Sequence, residues 1–233
     1  MLICSHQKRR FLNQEKPNVF LEQKLITPVE KDRFLGVILD QNLLMDEHIN
    51  SIHSKVSKLS GLLWRIGNCL DFKSKILFYN SYVQPTFDYC CTVWGTCSHV
   101  HINKLTRIQI RFGRIIIGDC NLSHLEVLTR LKWLSVEERI HYNTLVLVFK
   151  SINNLAPEKL QNLFHTVEER HNYALRNAEI SLNLPKPRTE ALKRSFQYFG
   201  ASLWNKLPCN IRRTDNLNSF KIQVKEHITS SRS

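Results

Sequence analysis

Cys90, Cys91, Cys97, His99 and His101 fall within twelve positions of one another. Thiolate sulfur and imidazole nitrogen are the ligands of tetrahedral zinc, so the cluster raises metal binding first. The spacing argues against it. A structural zinc site draws two ligand pairs from separate turns, whereas adjacent Cys90 and Cys91 point apart and no second pair lies at a usual distance. Redox or nucleophilic chemistry needs an activating base beside a thiol, and the sequence singles out none for Cys91. These thiols are expected to fill space as small hydrophobes, with no metal bound.

No other catalytic constellation stands out. There is no Asp-Asp pair, no glycine-rich phosphate loop, no Gly-x-Ser-x-Gly and no His-Glu-x-x-His. Glu137-Glu138 and Glu168-Glu169 are adjacent pairs, and neighbours on a helix diverge too far to share a metal easily. What recurs is positive charge. Lys104, Arg107, Arg111 and Arg114 lie within about a quarter turn of one another at ideal helical geometry. Leu105, Ile108, Phe112, Ile115 and Ile116 form the neighbouring apolar stripe. Such a helix buries one face and holds up a row of cations spaced to meet phosphates. A merely solvated basic face is the plainer alternative. The formal net charge of +13 favours nucleic acid, with an anionic membrane surface second. Lys55, Lys58 and Arg65 repeat the arrangement on an earlier helix. A third basic region holds Lys186, Arg188, Lys193, Arg194, Arg212 and Arg213.

The elements that carry these residues are mostly helical. Strand signals are confined to residues 18–42: Asn18 to Leu21, Lys24 to Ile26, an interruption at Pro28, then Arg33 to Asp40 as one buried strand whose Gly36 marks a bulge or close approach. From residue 46 the apolar period is helical, through Ile49, Ile52, Val56, Leu59, Leu63 and Ile66, with Asp46 as N-cap. Asp71 caps a second helix that Pro85 should end. The basic helix runs from about Ile102 to a stop at Gly118, leaving Cys97, His99 and His101 in a loop. Ser135-Val136-Glu137-Glu138 is a capping box for a helix to about Asn153. Pro157 opens a short helix. Residues 165–190 are a polar excursion, Arg194 to Phe199 a short strand, and Gly200 to Leu207 and Leu217 to His227 helices, before a frayed Ser-Ser-Arg-Ser end. The fold class expected is mainly α, with a small N-terminal β element.

At 233 residues the chain suits one large domain or two small ones. Seven cysteines, with no signal peptide at the start, suggest free thiols in a reducing intracellular setting, nucleus and cytoplasm not being distinguished. The longest apolar runs fall well short of the roughly 18–20 residues of a membrane span, so no membrane partner is expected.

Taken in order, several stretches resemble the C-terminal part of reverse transcriptases of non-LTR (LINE-type) retrotransposons. They are Phe34-Leu-Gly-Val-Ile-Leu-Asp40 with Glu47-His-Ile49, Leu77-Phe-Tyr-Asn-Ser-Tyr-Val-Gln-Pro85 running into Phe87-Asp-Tyr-Cys-Cys-Thr-Val-Trp-Gly95, and Lys104-Leu-Thr-Arg-Ile-Gln-Ile-Arg111. Leu131-Lys-Trp-Leu-Ser-Val-Glu-Glu-Arg139, Leu155-Ala-Pro-Glu158, Leu184-Pro-Lys-Pro-Arg-Thr189 and Arg194-Ser-Phe-Gln-Tyr-Phe-Gly-Ala-Ser-Leu-Trp-Asn-Lys-Leu-Pro208 follow. The resemblance implies a palm remnant over 1–42 with Phe34, Leu35 and Gly36 primer-grip-like, a thumb-like helical region over 43–120, and a helical extension over 121–233. It implies RNA–DNA or DNA duplex as a nonspecific partner.

In that family a Tyr/Phe-Ala-Asp-Asp motif precedes the segment that Met1-Leu-Ile3 matches, and this sequence lacks it. Two-metal nucleotidyl transfer needs those aspartates, so Mg²⁺ is expected only for the intact parent enzyme. The expectation is a truncated reverse transcriptase fragment that is not an enzyme as it stands. The alternative is a basic helical protein put to host use as a nucleic-acid or protein binder. Strands parted from a palm sheet should leave exposed edges.

Overall fold

The N-terminal strands form two separate hairpins. In the computed structural model, which describes residues 19–26, 29–168 and 180–232, β1 (Val19–Leu21) pairs antiparallel with β2 (Lys24–Ile26). Likewise β3 (Lys31–Phe34) pairs with β4 (Val37–Asp40), Phe34 opposite Val37. Both turns put two successive residues at positive φ: Glu22 at 47° and Gln23 at 68°, then Leu35 at 47° and Gly36 at 83°. That handedness matches the twist of the flanking strands and marks two-residue hairpin loops. The single buried strand expected over Arg33–Asp40 is thereby corrected. Gly36 is a turn residue, not a bulge, and β3 is exposed along its length. The unbroken apolar run hid the reversal, because Phe34 and Leu35 point to solvent at the tip instead of into a core. Exposed strand edges are present as expected, each described sheet having only two strands. The readings at Met1–Ile3, Asn18 and Pro28 lie outside the described residues.

Asp40 joins sheet to helix. Its carboxylate accepts from the backbone N–H groups of Asn42, Leu44 and Met45 at 2.9, 3.1 and 2.8 Å. Burial opposes the charge, but these donors outweigh it and hold the carboxyl below its ordinary value. The helix that follows, α1 (Asp46–Ile66), has Met45 as its N-cap at φ 64°, without a side-chain cap. The expected cap, Asp46, is instead the first helical residue, where its charge suits the helix dipole.

Asp71 caps α2 (Phe72–Phe78) as read, accepting from the Ser74 N–H at 2.9 Å. Pro85 does not end the helical path. One π-turn (Tyr79–Val83) leads directly into α3 (Gln84–Asp88), and the widened turn lies just ahead of Pro85. Then come α4 (Cys91–Trp94) and α5 (His99–Ile117), the latter closed by Gly118 at φ 82°. His99 and His101 therefore lie in the first turns of α5, not in a loop. Helix α6 (His124–Leu131), not foreseen, opens on a capping box of Ser123 and Glu126, and α7 (Val136–Ile152) on the one read at Ser135 and Glu138. Helices α8 (Glu158–Gln161) and α9 (Glu190–Lys193) are single turns. The strand expected over Arg194–Phe199 is overturned: the Ser195 side chain accepts from the Tyr198 N–H and starts α10 (Phe196–Lys206). Finally α11 (Cys209–Arg212) leads into α12 (Leu217–Ser230).

The fold is mainly α with a small β element, and α7 is its spine. Val136 and Ile140 belong to one apolar core with Ile49, Val56, Tyr79, Trp94 and Phe112, which continues past residue 120 through Leu122, Val127 and Trp133. Two turns on, Leu145, Val148 and Phe149 belong to a second core with Trp204, Phe220 and Val224. Of the end expected to fray, Ser231 and Arg232 are held by hydrogen bonds. Arg232 pairs through both nitrogens with Glu138 and also donates to the Trp133 carbonyl at 2.6 Å, which ties the end of α12 to the start of α7.

Candidate nucleic-acid interface

Helices α1 and α5 lie side by side and run in the same direction. His101 pairs with Asp46, and Lys104 Nζ donates to Asn50 Oδ1 at 2.6 Å, so successive turns of one helix face successive turns of the other. At the far end the Ile115 side chain reaches Gly67, just past α1. The link between parallel helices is the run α2–α3–α4, which returns the chain to the starting end.

The pair is segregated by charge. No acidic residue occurs between Glu47 and Asp71, and none between Asp88 and Asp119. Lys55, Lys58 and Arg65 on α1 and Arg107 and Arg111 on α5 are exposed. Lys55 and Lys58 line a shallow recess with Ser51, Ser54, Leu59 and Leu62. Beyond the first turns of the two helices, no carboxylate along either one interrupts the row of cations.

The row of four on α5 is less uniform than its spacing suggests. Arg114 is half-buried and donates through Nε and Nη2 to the Leu122 carbonyl at 3.0 and 2.8 Å, closing the loop after α5. Lys104 is half-buried and bonded across to α1. Two of the four, Arg107 and Arg111, face solvent. In the third basic region Arg194 donates to the Leu43 carbonyl at 3.4 Å, and Arg212 to Ser181 Oγ at 3.0 Å and the Ile180 carbonyl at 3.4 Å. Lys193 pairs with Glu190 at 2.6 Å, while Lys186 and Arg188 are exposed.

The tip Phe34-Leu35-Gly36 is fixed to this frame by contacts the sequence did not reveal. Tyr89, at the end of α3, donates its hydroxyl to the Leu35 carbonyl at 2.6 Å, and a Cβ on Gly36 would lie 3.4 Å from its ring. Lys31 pairs with Glu47 at 2.6 Å, and the Ile38 N–H donates to His48 Nδ1 at 3.4 Å. The hairpin therefore leans on the start of α1 while Phe34 and Leu35 stay exposed.

The cysteine–histidine cluster disperses. Cys90, at φ 51°, precedes α4. Cys91 is buried, with the Asn143 amide donating to its sulfur at 3.3 Å, and burial pushes its thiol up to about 11. Cys97 is likewise pushed up to about 11 by burial. His101 faces Asp46, and His99 lies 3.9 Å from Glu137. Among the described residues no three His, Cys, Asp or Glu side chains come together at a metal ion's distance. Among the same residues no helix is long and apolar enough to cross a membrane.

Comparison with known proteins finds that curated homologues of the chain are RNA-directed DNA polymerases of LINE-type mobile elements. One is the probable RNA-directed DNA polymerase from transposon X-element of Drosophila melanogaster, 26% identical over 189 residues, or 79% of this chain and 18% of that protein. Another is the RNA-directed DNA polymerase from mobile element jockey of Drosophila funebris, 30% identical over 105 residues, or 44% of this chain and 12% of that protein. The jockey polymerase of Drosophila melanogaster matches to the same extent. The chain thus spans less than a fifth of the length of these relatives. No family model matches it, and no solved structure does.

Proposed function

We propose that this chain is a duplex-holding segment of a LINE-type reverse transcriptase, binding nucleic acid through the exposed face of α1 and α5 and adding no nucleotides by itself. The charge segregation of the pair carries this reading: seven cations and no acid between His48 and Ile66 and along His99–Ile117. Cations on rigid parallel helices match phosphates spaced along a duplex and read no base, so binding is expected to be nonspecific and steeply salt-dependent. The hairpin tip, clamped by Tyr89 at the end of the same frame, supplies a short exposed apolar edge for a strand terminus. Homology to RNA-directed DNA polymerases supports the nucleic-acid class of partner.

The test pairs two measurements. Binding of a labelled duplex is expected to weaken linearly in log salt, and an Arg107→Gln/Arg111→Gln variant to bind more weakly with a flatter slope. Primer extension by the 233-residue chain with Mg²⁺ is expected to match a no-protein control. Unchanged affinity in the variant overturns the binding reading, and nucleotide incorporation overturns the non-catalytic one.

A further inference from the structure

The four tryptophans are not alike. Trp94, Trp133 and Trp204 are 0%, 8% and 3% exposed, whereas Trp64, in the last turns of α1, is 68% exposed. Phe72, at the start of α2, is 54% exposed. A single 3₁₀ turn (Gly67–Cys69) separates the two helices, and Lys75 folds back to within 3.8 Å of a Cβ position on Gly67. Both aromatic rings therefore sit at one end of the helix pair. Arg65 and Lys73 follow them directly in sequence and are exposed. Asp71 is the local acid, and its carboxylate is engaged in capping α2.

Two large aromatics exposed on either side of one short turn offer apolar area to a partner. Here the surrounding charge selects it. Ring residues each followed by an exposed cation, next to a carboxylate engaged in capping, complement a polyanion that carries flat apolar faces of its own. In a duplex those faces are stacked on one another and closed to Trp64, whereas in a single strand they are open. We infer that Trp64 and Phe72 form a stacking platform for single-stranded nucleic acid, taking the unpaired extension of a duplex held by α1 and α5. The inference rests on the reading that this helix pair meets nucleic acid, and it adds a strand-state preference that phosphate contacts alone would not give.

Trp64, exposed among three buried tryptophans, reports on its own occupancy. Titration of the full chain with a fifteen-residue oligothymidylate is expected to quench the iodide-accessible tryptophan emission. A Trp64→Ala variant should lose that signal and bind a duplex with a single-stranded extension roughly ten-fold more weakly, while binding a blunt duplex as before. Trp64→Phe, which keeps a ring, should fall between, and Phe72→Ala should weaken the same complex while leaving Trp64 as reporter. Absence of oligothymidylate binding overturns the inference, as does binding that leaves Trp64 emission unchanged. So does a Trp64→Ala variant with unaltered affinity for the extended duplex, which would point to a protein partner for this face. Failure of blunt-duplex binding alone overturns the earlier reading, not this one.

Discussion

Asp88, the last residue of α3, meets Arg139 of α7 through both carboxylate oxygens, its Oδ1 accepting from Nε at 2.8 Å. Asn143, one turn further along α7, donates to the same Oδ1 at 3.1 Å and to Cys91 at 3.3 Å. Two stretches that resemble the same enzyme family, Phe87–Gly95 and Leu131–Arg139, are thus fastened to each other. The pair is largely sheltered, with 29% and 18% of the two side chains exposed.

Removing one partner strands the other charge against the core. Asp88→Asn and Arg139→Met are each expected to lower unfolding free energy by about 1–3 kcal/mol. The double variant should lose clearly less than the sum, because neither charge is then left unpaired. Urea unfolding of the four proteins measures the coupling.

The Arg232–Glu138 contact should make stability depend on acid. Burial opposes the Glu138 charge, but bonds from Arg232 and the Ser135 N–H outweigh it and lower its carboxyl from the ordinary 4.5. A depressed folded value contributes stability that is fully present above the unfolded value and lost as pH falls through the folded one. Thermal melts should therefore fall below about pH 4.5, and Arg232→Met should be less stable at neutral pH with a shallower acid dependence. Parallel pH series for the two proteins would expose an equal slope, which counts against the contact.

The α5 cations should divide by role. Arg107→Gln/Arg111→Gln is expected to flatten the log-affinity against log-salt slope by roughly two units, one per phosphate contact, with little change in stability. Arg114→Gln should instead cost about 1–2 kcal/mol of stability by leaving the Leu122 carbonyl unpaired. Salt titrations and denaturation on both variants separate the roles.

Gly113 sets the approach of α5 and α6. A Cβ there would lie 2.1 Å from Val127 Cγ1 and 3.2 Å from Leu131 Cδ1. Gly113→Ala should be destabilising by about 1–3 kcal/mol despite the better helix propensity of alanine. A melting temperature equal to or above that of the parent chain would contradict this packing.

Thiol reactivity should follow burial. Cys69 and Cys120 are exposed, whereas Cys91 and Cys97 are both pushed up to about 11. Under native conditions at pH 7, a maleimide should label Cys69 and Cys120 within minutes and Cys91 only on unfolding, as read by peptide mapping.

The sequence alone determined the elements whose signals are local. The capping box at Ser135 and Glu138, the cap at Asp71 and the stop at Gly118 each depend on a few neighbouring residues, and all three stand. It also determined the segregation of charge, since blocks without acid can be read directly. Tertiary structure decided what depends on distant partners. Whether Arg107 or Arg114 faces solvent turns on a carbonyl at Leu122. Gly36 lies in a turn because the strands on either side pair with each other, and Tyr89 reaches the neighbouring Leu35 carbonyl across 54 positions. Arg232 owes its place to meeting Glu138, 94 positions away. Periodicity says which face of an element is apolar. Which polar side chains that face leaves free is set by what packs beside it, and that is a property of the assembled fold.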